Sequence, residues 1–270
     1  MKVSFIADLH VDLNPKNTVV DYVTELYCLL KEEKTDLLVI GGDISNDYQT
    51  TISFVEALER NAAIPVYFVP GNHDFWEEGK EKDSWKIYEI FKEHPQSLIE
   101  SPVKLTADYS LVGHSGWYNH AVYDKEQFSE EEVEEGKFRW SYWQDKLMTD
   151  WKMTDKELSK KFAKIIQKDL DKVETEKIIL QTHVGTIPEF TMPMPHKIFD
   201  FFNAYMTTDD LEEIQKNYPI THHIMGHIHF RHQLEKSGSQ YITNSLGYRR
   251  EWRSKDFKKE LAASLFSIEI

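Results

Sequence analysis

Side chains of the kinds that hold transition metals recur at five places along this 270-residue chain. They are Asp8-Leu9-His10, Gly42-Asp43, Gly71-Asn72-His73-Asp74, His183 and Gly226-His227-Ile228-His229. Carboxylate, imidazole and amide-oxygen donors suit Mn, Fe, Zn or Ni and argue against a thiolate site. Each piece alone is weak. Asp-x-His or Gly-Asn-His-Asp is commonly a turn or cap, and a lone His183 is commonly a satisfied polar residue. The ordered set is what points to a metal centre, because independent turns do not all carry nitrogen or oxygen ligands by accident. Asp8-x-His10 and His227-x-His229 are expected where a strand has ended and the chain turns, with the neighbouring glycines supplying the freedom. One carboxylate such as Asp43 can bridge two ions about 3.5–4 Å apart, the spacing of two-metal hydrolases.

The elements around these residues explain how they could meet. Lys2–Ala7, Asp36–Ile40 and Pro65–Val69 are apolar runs, and Val19–Lys31 and Thr51–Arg60 between them have helical periodicity. This β-α-β-α-β order predicts a parallel sheet with helices on both faces. Ligand-binding residues of such sheets gather at the carboxyl ends of the strands. Further strands are predicted at Tyr109–Val112, Lys177–Thr182 and His222–Met225. From Phe230 the pattern is strand-turn-strand, turning at Ser237-Gly238, with strands near Gln240–Thr243 and Ser264–Ile270. These later strands are antiparallel members of the sheet or a second sheet. The stretch Trp117–Asp171 reads as a mostly helical insert within a single 1–270 domain, and Gly185–Asn203, with three prolines, reads as an irregular loop. Cys28, the only cysteine, lies in an apolar helical stretch and reads as a core residue.

The five pieces, complete and in order over residues 8–229, resemble the calcineurin-like metallophosphoesterase pattern D-x-H, G-D, G-N-H-D/E, H, G-H-x-H. The resemblance implies a four-layer α/β/β/α sandwich carrying two divalent or trivalent transition-metal ions. Asp8, His10 and His229 would hold the first, Asn72, His183 and His227 the second, and Asp43 both. His73 would not ligate; it would act on the substrate as general acid or charge stabiliser. Asp74 would orient backbone or His73. A metal-activated water would then hydrolyse a phosphomonoester or phosphodiester.

Arg249 and Arg250 are candidates for substrate binding, because arginine suits phosphate; the plainer reading is that they balance an acidic surface. His114, at a strand end, is a candidate contact near the site or a turn cap. The Trp and Tyr residues of 117–171 form either a lid that stacks on substrate or the private core of the insert. A formal net charge of −14 disfavours extended nucleic acid and anionic membranes, but not a small phosphate ester. That weighs against a nuclease acting on long chains. A catalytically silent scaffold would lack a ligand or His73, and none is missing. No apolar stretch approaches membrane-spanning length, and the opening apolar run is too short for a secretion signal, so the expected location is the cytoplasm.

Overall fold

The computed structural model describes residues 1–79 and 81–270. The chain opens as the apolar runs predict, with β1 (Lys2–Ile6), α1 (Val19–Glu32), β2 (Leu37–Ile40), α2 (Tyr48–Ala62) and β3 (Val66–Phe68). There follow α3 (Ser84–Glu93), β4 (Val103–Lys104) and β5 (Tyr109–His114). Next come α4 (Glu130–Glu135), β6 (Lys137–Phe138), β7 (Ser141–Tyr142), α5 (Asp145–Met148) and α6 (Asp155–Leu170). The last part is β8 (Lys177–Thr182), α7 (Phe199–Phe202), α8 (Glu212–Gln215), β9 (Ile220–Met225), β10 (Arg231–Lys236), β11 (Ser239–Asn244), α9 (Phe257–Ser264) and β12 (Phe266–Glu269).

The strands form two principal sheets, ordered β12-β1-β2-β3 and β10-β11-β9-β8-β5-β4. β1, β2 and β3 run parallel, as do β11, β9, β8 and β5; β12, β10 and β4 are antiparallel edges. The period-2 alternation of the strands builds the layers. Val3, Phe5, Leu37 and Val39 meet Leu111, Ile179, Ile224 and Ile242 between the sheets. Ile6, Leu38, Ile40 and Phe68 face the other way, against Tyr22 and Leu26 of α1 and Phe54 and Leu58 of α2. On the far side, Val112, Ile178 and Leu180 pack under Ala163, Ile166 and Leu170 of α6. This is the four-layer α/β/β/α sandwich.

Local signals fix the boundaries. Thr18 and Asp21 form a capping box at the start of α1. Ser237 and Gly238 both have positive φ, as a tight turn between right-twisted strands requires. Cys28 departs from its expectation: it is exposed. The face of α1 that packs inward carries Tyr22, Val23, Leu26 and Leu30, and at about 100° per residue Cys28 points away from it. Segment 117–171 contains α4, α5, the ribbon β6–β7 and irregular chain, and its one long helix, α6, is part of the outer layer rather than a separate body.

Candidate metal centre

Asp8, His10, Asp43, Asn72, His183, His227 and His229 follow β1, β2, β3, β8 and β9 and converge where the two sheets' carboxyl ends meet. Ligand atoms of Asp8, His10, Asp43 and His229 lie within 4.8 Å of one another, and those of Asp43, His183 and His227 form a second such group. Asp43 belongs to both. His10 Nε2 is 3.8 Å and His183 Nε2 3.3 Å from its two oxygens. Asn72 Oδ1 is 3.0 Å from His183 Nε2.

The backbone bends sharply to achieve this. Asp8, His10, Asp43 and His227 all adopt positive φ, between 43° and 68°. The ligand residues themselves, rather than only the adjacent glycines, take up the turn, at roughly 1–2 kcal/mol each. The surroundings hold them there: Asp8 N donates to Gly42 O (2.9 Å), His10 N to Asp43 O (3.0 Å), Gly226 N to His183 O (2.9 Å) and Gly247 N to Asp8 O (3.0 Å). Gly71 is required for space, since a Cβ there would sit 2.1 Å from Asp43 Oδ1. Asp74 ties the turn after β3 to the turn after β2, accepting from Gly71 N (2.7 Å), Ile44 N and Ser45 N (both 3.1 Å) and Thr51 Oγ1 (2.5 Å). Burial, and then the charge of Asp43, push the Asp74 carboxyl up to about 7.

The outer partners set which atom each ligand turns inward. His183 Nδ1 donates to Gly41 O (2.8 Å), leaving Nε2 inward. His227 Nε2 donates to Tyr205 O (2.8 Å), leaving Nδ1. His229 Nδ1 donates to Glu251 (2.8 Å). Asn72 Nδ2 donates to Asp145 (2.9 Å), leaving Oδ1 inward. Acceptors therefore face acceptors, and either extra protons or cations must lie between them. Burial opposes charge on His183 and His229, yet Asp43 for the first and Asp8 with Glu251 for the second outweigh it, raising them to about 9 and about 10. This donor set fits metal ions, which would displace those protons.

His73 stands beside the cluster. Its Nδ1 donates to Asn46 Oδ1 (2.7 Å), its ring stacks on Trp76 (3.7 Å, 25°), and its Nε2 faces Tyr248 OH (3.4 Å) and Asp43 (3.8 Å). A cleft of about 560 Å³ opens over Asp43, Asn72, His73, His227 and His229. Arg250 lines it; Arg249 does not, lying over Trp252 with its guanidinium bonded to Lys255 O. His114 is likewise apart: it accepts from Gly116 N (3.1 Å), meets Tyr88 OH (3.2 Å) and packs on Phe162. The aromatic residues of 117–171 divide. Trp117, Tyr118 and Trp151 are buried, Trp140 is fully exposed, and Tyr142 and Trp143 line the cleft. Asp145, Glu251, Tyr248 and Asn46 were not singled out from sequence; each sits in irregular chain or a short helix, with no periodic or ligand-spacing signal to mark it.

Two stacked mixed sheets with Asp, His and Asn side chains gathered at their strand ends make an α/β/β/α sandwich with a candidate metal-binding edge. The profile of calcineurin-like phosphoesterases matches residues 1–231, and the chain belongs to that family of phosphoester hydrolases. No curated protein matches the sequence. Among solved structures, phosphopantetheinyl hydrolase from Mycobacterium tuberculosis is similar over 99% of this chain and 95% of its own, with a TM-score of 0.78 and 17% identity. A dimetal phosphatase from Danio rerio covers 90% of this chain and 86% of its own, with a TM-score of 0.50 and 14% identity. At these identities the likeness is one of fold. Among the described residues, no helix is long and apolar enough to cross a membrane.

Proposed function

We propose that this phosphoesterase is binuclear and hydrolyses a phosphomonoester or phosphodiester. The observation that carries the reading is Asp43, the one carboxylate common to both ligand groups. Asp8, His10 and His229 would hold one ion with it, and Asn72, His183 and His227 the other. Bound there, two such ions would lower the pKa of a water and neutralise phosphate charge. The protein's own groups do the rest. His73, its Nδ1 fixed by Asn46, presents Nε2 to the cleft, where it can hold a proton for the leaving oxygen. Trp76 beneath and Tyr248 opposite limit how the imidazole can tilt. Arg250 offers a cation at the cleft wall. Segment 117–171 contributes Tyr142 and Trp143 to the rim, which supports a role in covering substrate. The phosphopantetheinyl group named for the Mycobacterium tuberculosis hydrolase is one ester to try, supported by similarity of fold and a cleft much larger than a phosphate.

The test is metal content together with hydrolysis of p-nitrophenyl phosphate and bis-p-nitrophenyl phosphate, with Mn, Fe, Ni and Zn supplied separately. Two ions per chain and turnover removed by chelation are expected. A single ion would overturn the binuclear reading, and no ion with no turnover would overturn the hydrolase reading.

A further inference from the structure

The lining of the cleft is of two kinds. One is the ligand cluster with His73. The other is apolar: Met192, Phe199, Phe202, Met206 and Phe230 line it, with Trp143 from the segment before α5. Trp143 is fixed, stacked on Tyr205 at 10° and bonded through Nε1 to Asp145 and Tyr118 (2.9 Å each). Phe199, Phe202 and Phe230 are only partly buried, so their rings contribute free surface to the cleft. At about 560 Å³ the cleft has the size of a site for a drug-sized molecule, of which a phosphate fills a small part. Among the described lining residues Arg250 is the only lysine or arginine, while Asp145 and Glu251 add negative charge. A second anionic group on the substrate would find, among the described lining residues, a single cationic side chain, Arg250, set beside the carboxylate of Glu251. A nucleobase would find few buried polar partners, because Ser141, Tyr142 and Gln144 are at the exposed rim.

From this we infer that the substrate is a phosphate ester with a long, uncharged, largely apolar arm, received by Phe199, Phe202, Phe230 and Met192. The inference rests on the phosphoesterase reading of the same site and names its substrate class. Methionine suits a flexible arm, because its unbranched side chain adapts to what it meets. Extending the arm should tighten binding by up to about fourfold per buried methylene until the cleft is filled, from the usual transfer free energy of a methylene.

The probes are methyl-, butyl- and octylphosphonate, which cannot be hydrolysed. They are measured as competitive inhibitors of whichever p-nitrophenyl ester is turned over, and by calorimetry on the Mn-loaded protein. Octylphosphonate is expected to bind at least tenfold more tightly than methylphosphonate. Phe199→Ala and Phe202→Ala should each cut that ratio severalfold, with circular dichroism confirming the fold. Met192→Lys, at a partly exposed position, should do the same without opening the core. Thymidine 5′-phosphate should bind no better than methylphosphonate. Equal affinity for methyl- and octylphosphonate, or tighter binding of the nucleotide, overturns the inference while leaving the phosphoesterase reading intact. Absence of metal binding and of turnover sinks that reading instead.

Discussion

Asp145 is the link between the cleft wall and the ligand cluster, and its replacement has calculable consequences. The carboxylate is buried, and among the described residues no lysine or arginine pairs with it. Its Oδ1 accepts from Asn72 Nδ2 (2.9 Å) and Trp76 Nε1 (2.6 Å). Its Oδ2 accepts from Tyr118 OH and Trp143 Nε1 (2.9 Å each) and from Asn72 Nδ2 (3.1 Å). Burial raises the pKa of the group, with His73 and the hydrogen bonds pulling against it. In Asp145→Ala, Trp143 Nε1 can still donate to Tyr118 OH at 2.9 Å, but the Tyr118 O–H loses the acceptor it had in Asp145 Oδ2. Asn72 and Trp76 lose their acceptor altogether. With Tyr118 that makes three stranded donors, which cost roughly 3–9 kcal/mol together, less the relief of no longer burying a charge. Asn72 is then free to rotate its amide, and losing such an outer partner typically costs about 10–100-fold in metal affinity. On the proposed assignment, the loss should fall on the ion that Asn72, His183 and His227 would hold, and spare the ion that Asp8, His10 and His229 would hold. Asp145→Asn should be milder, because its carbonyl can still accept from Asn72 and Trp76 while its NH₂ faces the Trp143 N–H, donor to donor. Calorimetric titration with Mn, read site by site beside thermal unfolding, checks the order wild type, Asp145→Asn, Asp145→Ala. If folded Asp145→Ala takes up both ions at wild-type affinity, or weakens both equally, the reasoning is refuted.

Asp43→Asn should lose both ions and activity together, as metal analysis and a p-nitrophenyl phosphate assay would show; retention of one ion at full affinity counts against a shared carboxylate. His73→Asn should keep its metals but lower kcat by about 10²–10⁴ for alkoxide leaving groups, the usual worth of a general acid, and far less for p-nitrophenolate; equal losses exclude that role. Arg250→Ala should raise KM about two- to fivefold, since an exposed charge contributes up to about 1 kcal/mol, and Arg249→Ala should raise it less; indistinguishable KM values remove both from substrate binding. His223, stacked on Tyr241, is held down to about 3 by burial, helped by His222, against an ordinary 6.5. The unfolded chain takes up this proton between those values and the folded chain does not, so stability is full above pH 6.5 and falls as pH drops toward 3. His223→Phe should flatten the loss between pH 6.5 and 5 by up to about 1.4 kcal/mol per pH unit, measured by urea unfolding; an unchanged slope refutes the assignment.

What the sequence made legible was what repeats locally. The strands announced themselves as apolar runs, and the ligands followed them directly, so fold and cluster could both be read from one pattern. Phase was harder. Cys28 was assigned by the hydrophobicity of its stretch, while its place on the helix is set by angle from Leu26 and Leu30. His114 was suspected because it ends a strand, but it shares a face of β5 with Val112, and that face looks outward to α6 rather than into the cleft. The partners that orient the ligands were illegible for a different reason. Tyr205 acts through its backbone carbonyl, which no residue type reveals. Asp145 and Glu251 reach the cluster from chain without regular period, where only the folded path brings them near Asn72 and His229.

The sharing of Asp43 has a topological cause. β2 lies between β1 and β3 in its sheet. The turn after β1 carries Asp8 and His10, the turn after β2 carries Asp43, and the turn after β3 carries Asn72, so the spatial order of ligands repeats the order of strands. A carboxylate on the middle strand is the one with a neighbour's ligand on each side. In the facing sheet β8 and β9 are also adjacent, and they add His183, His227 and His229 across the gap. Positive φ at Asp8, His10, Asp43 and His227 then bends the ligands over the sheet edges toward one another. Residues in that region persist only where the surroundings over-determine them, and here the turns are hydrogen-bonded to each other, Asp8 to Gly42 and Gly247, His10 to Asp43, Gly226 to His183. The strain is thus stored in the same turns that carry the chemistry, and strand order decides which residue stands at the centre.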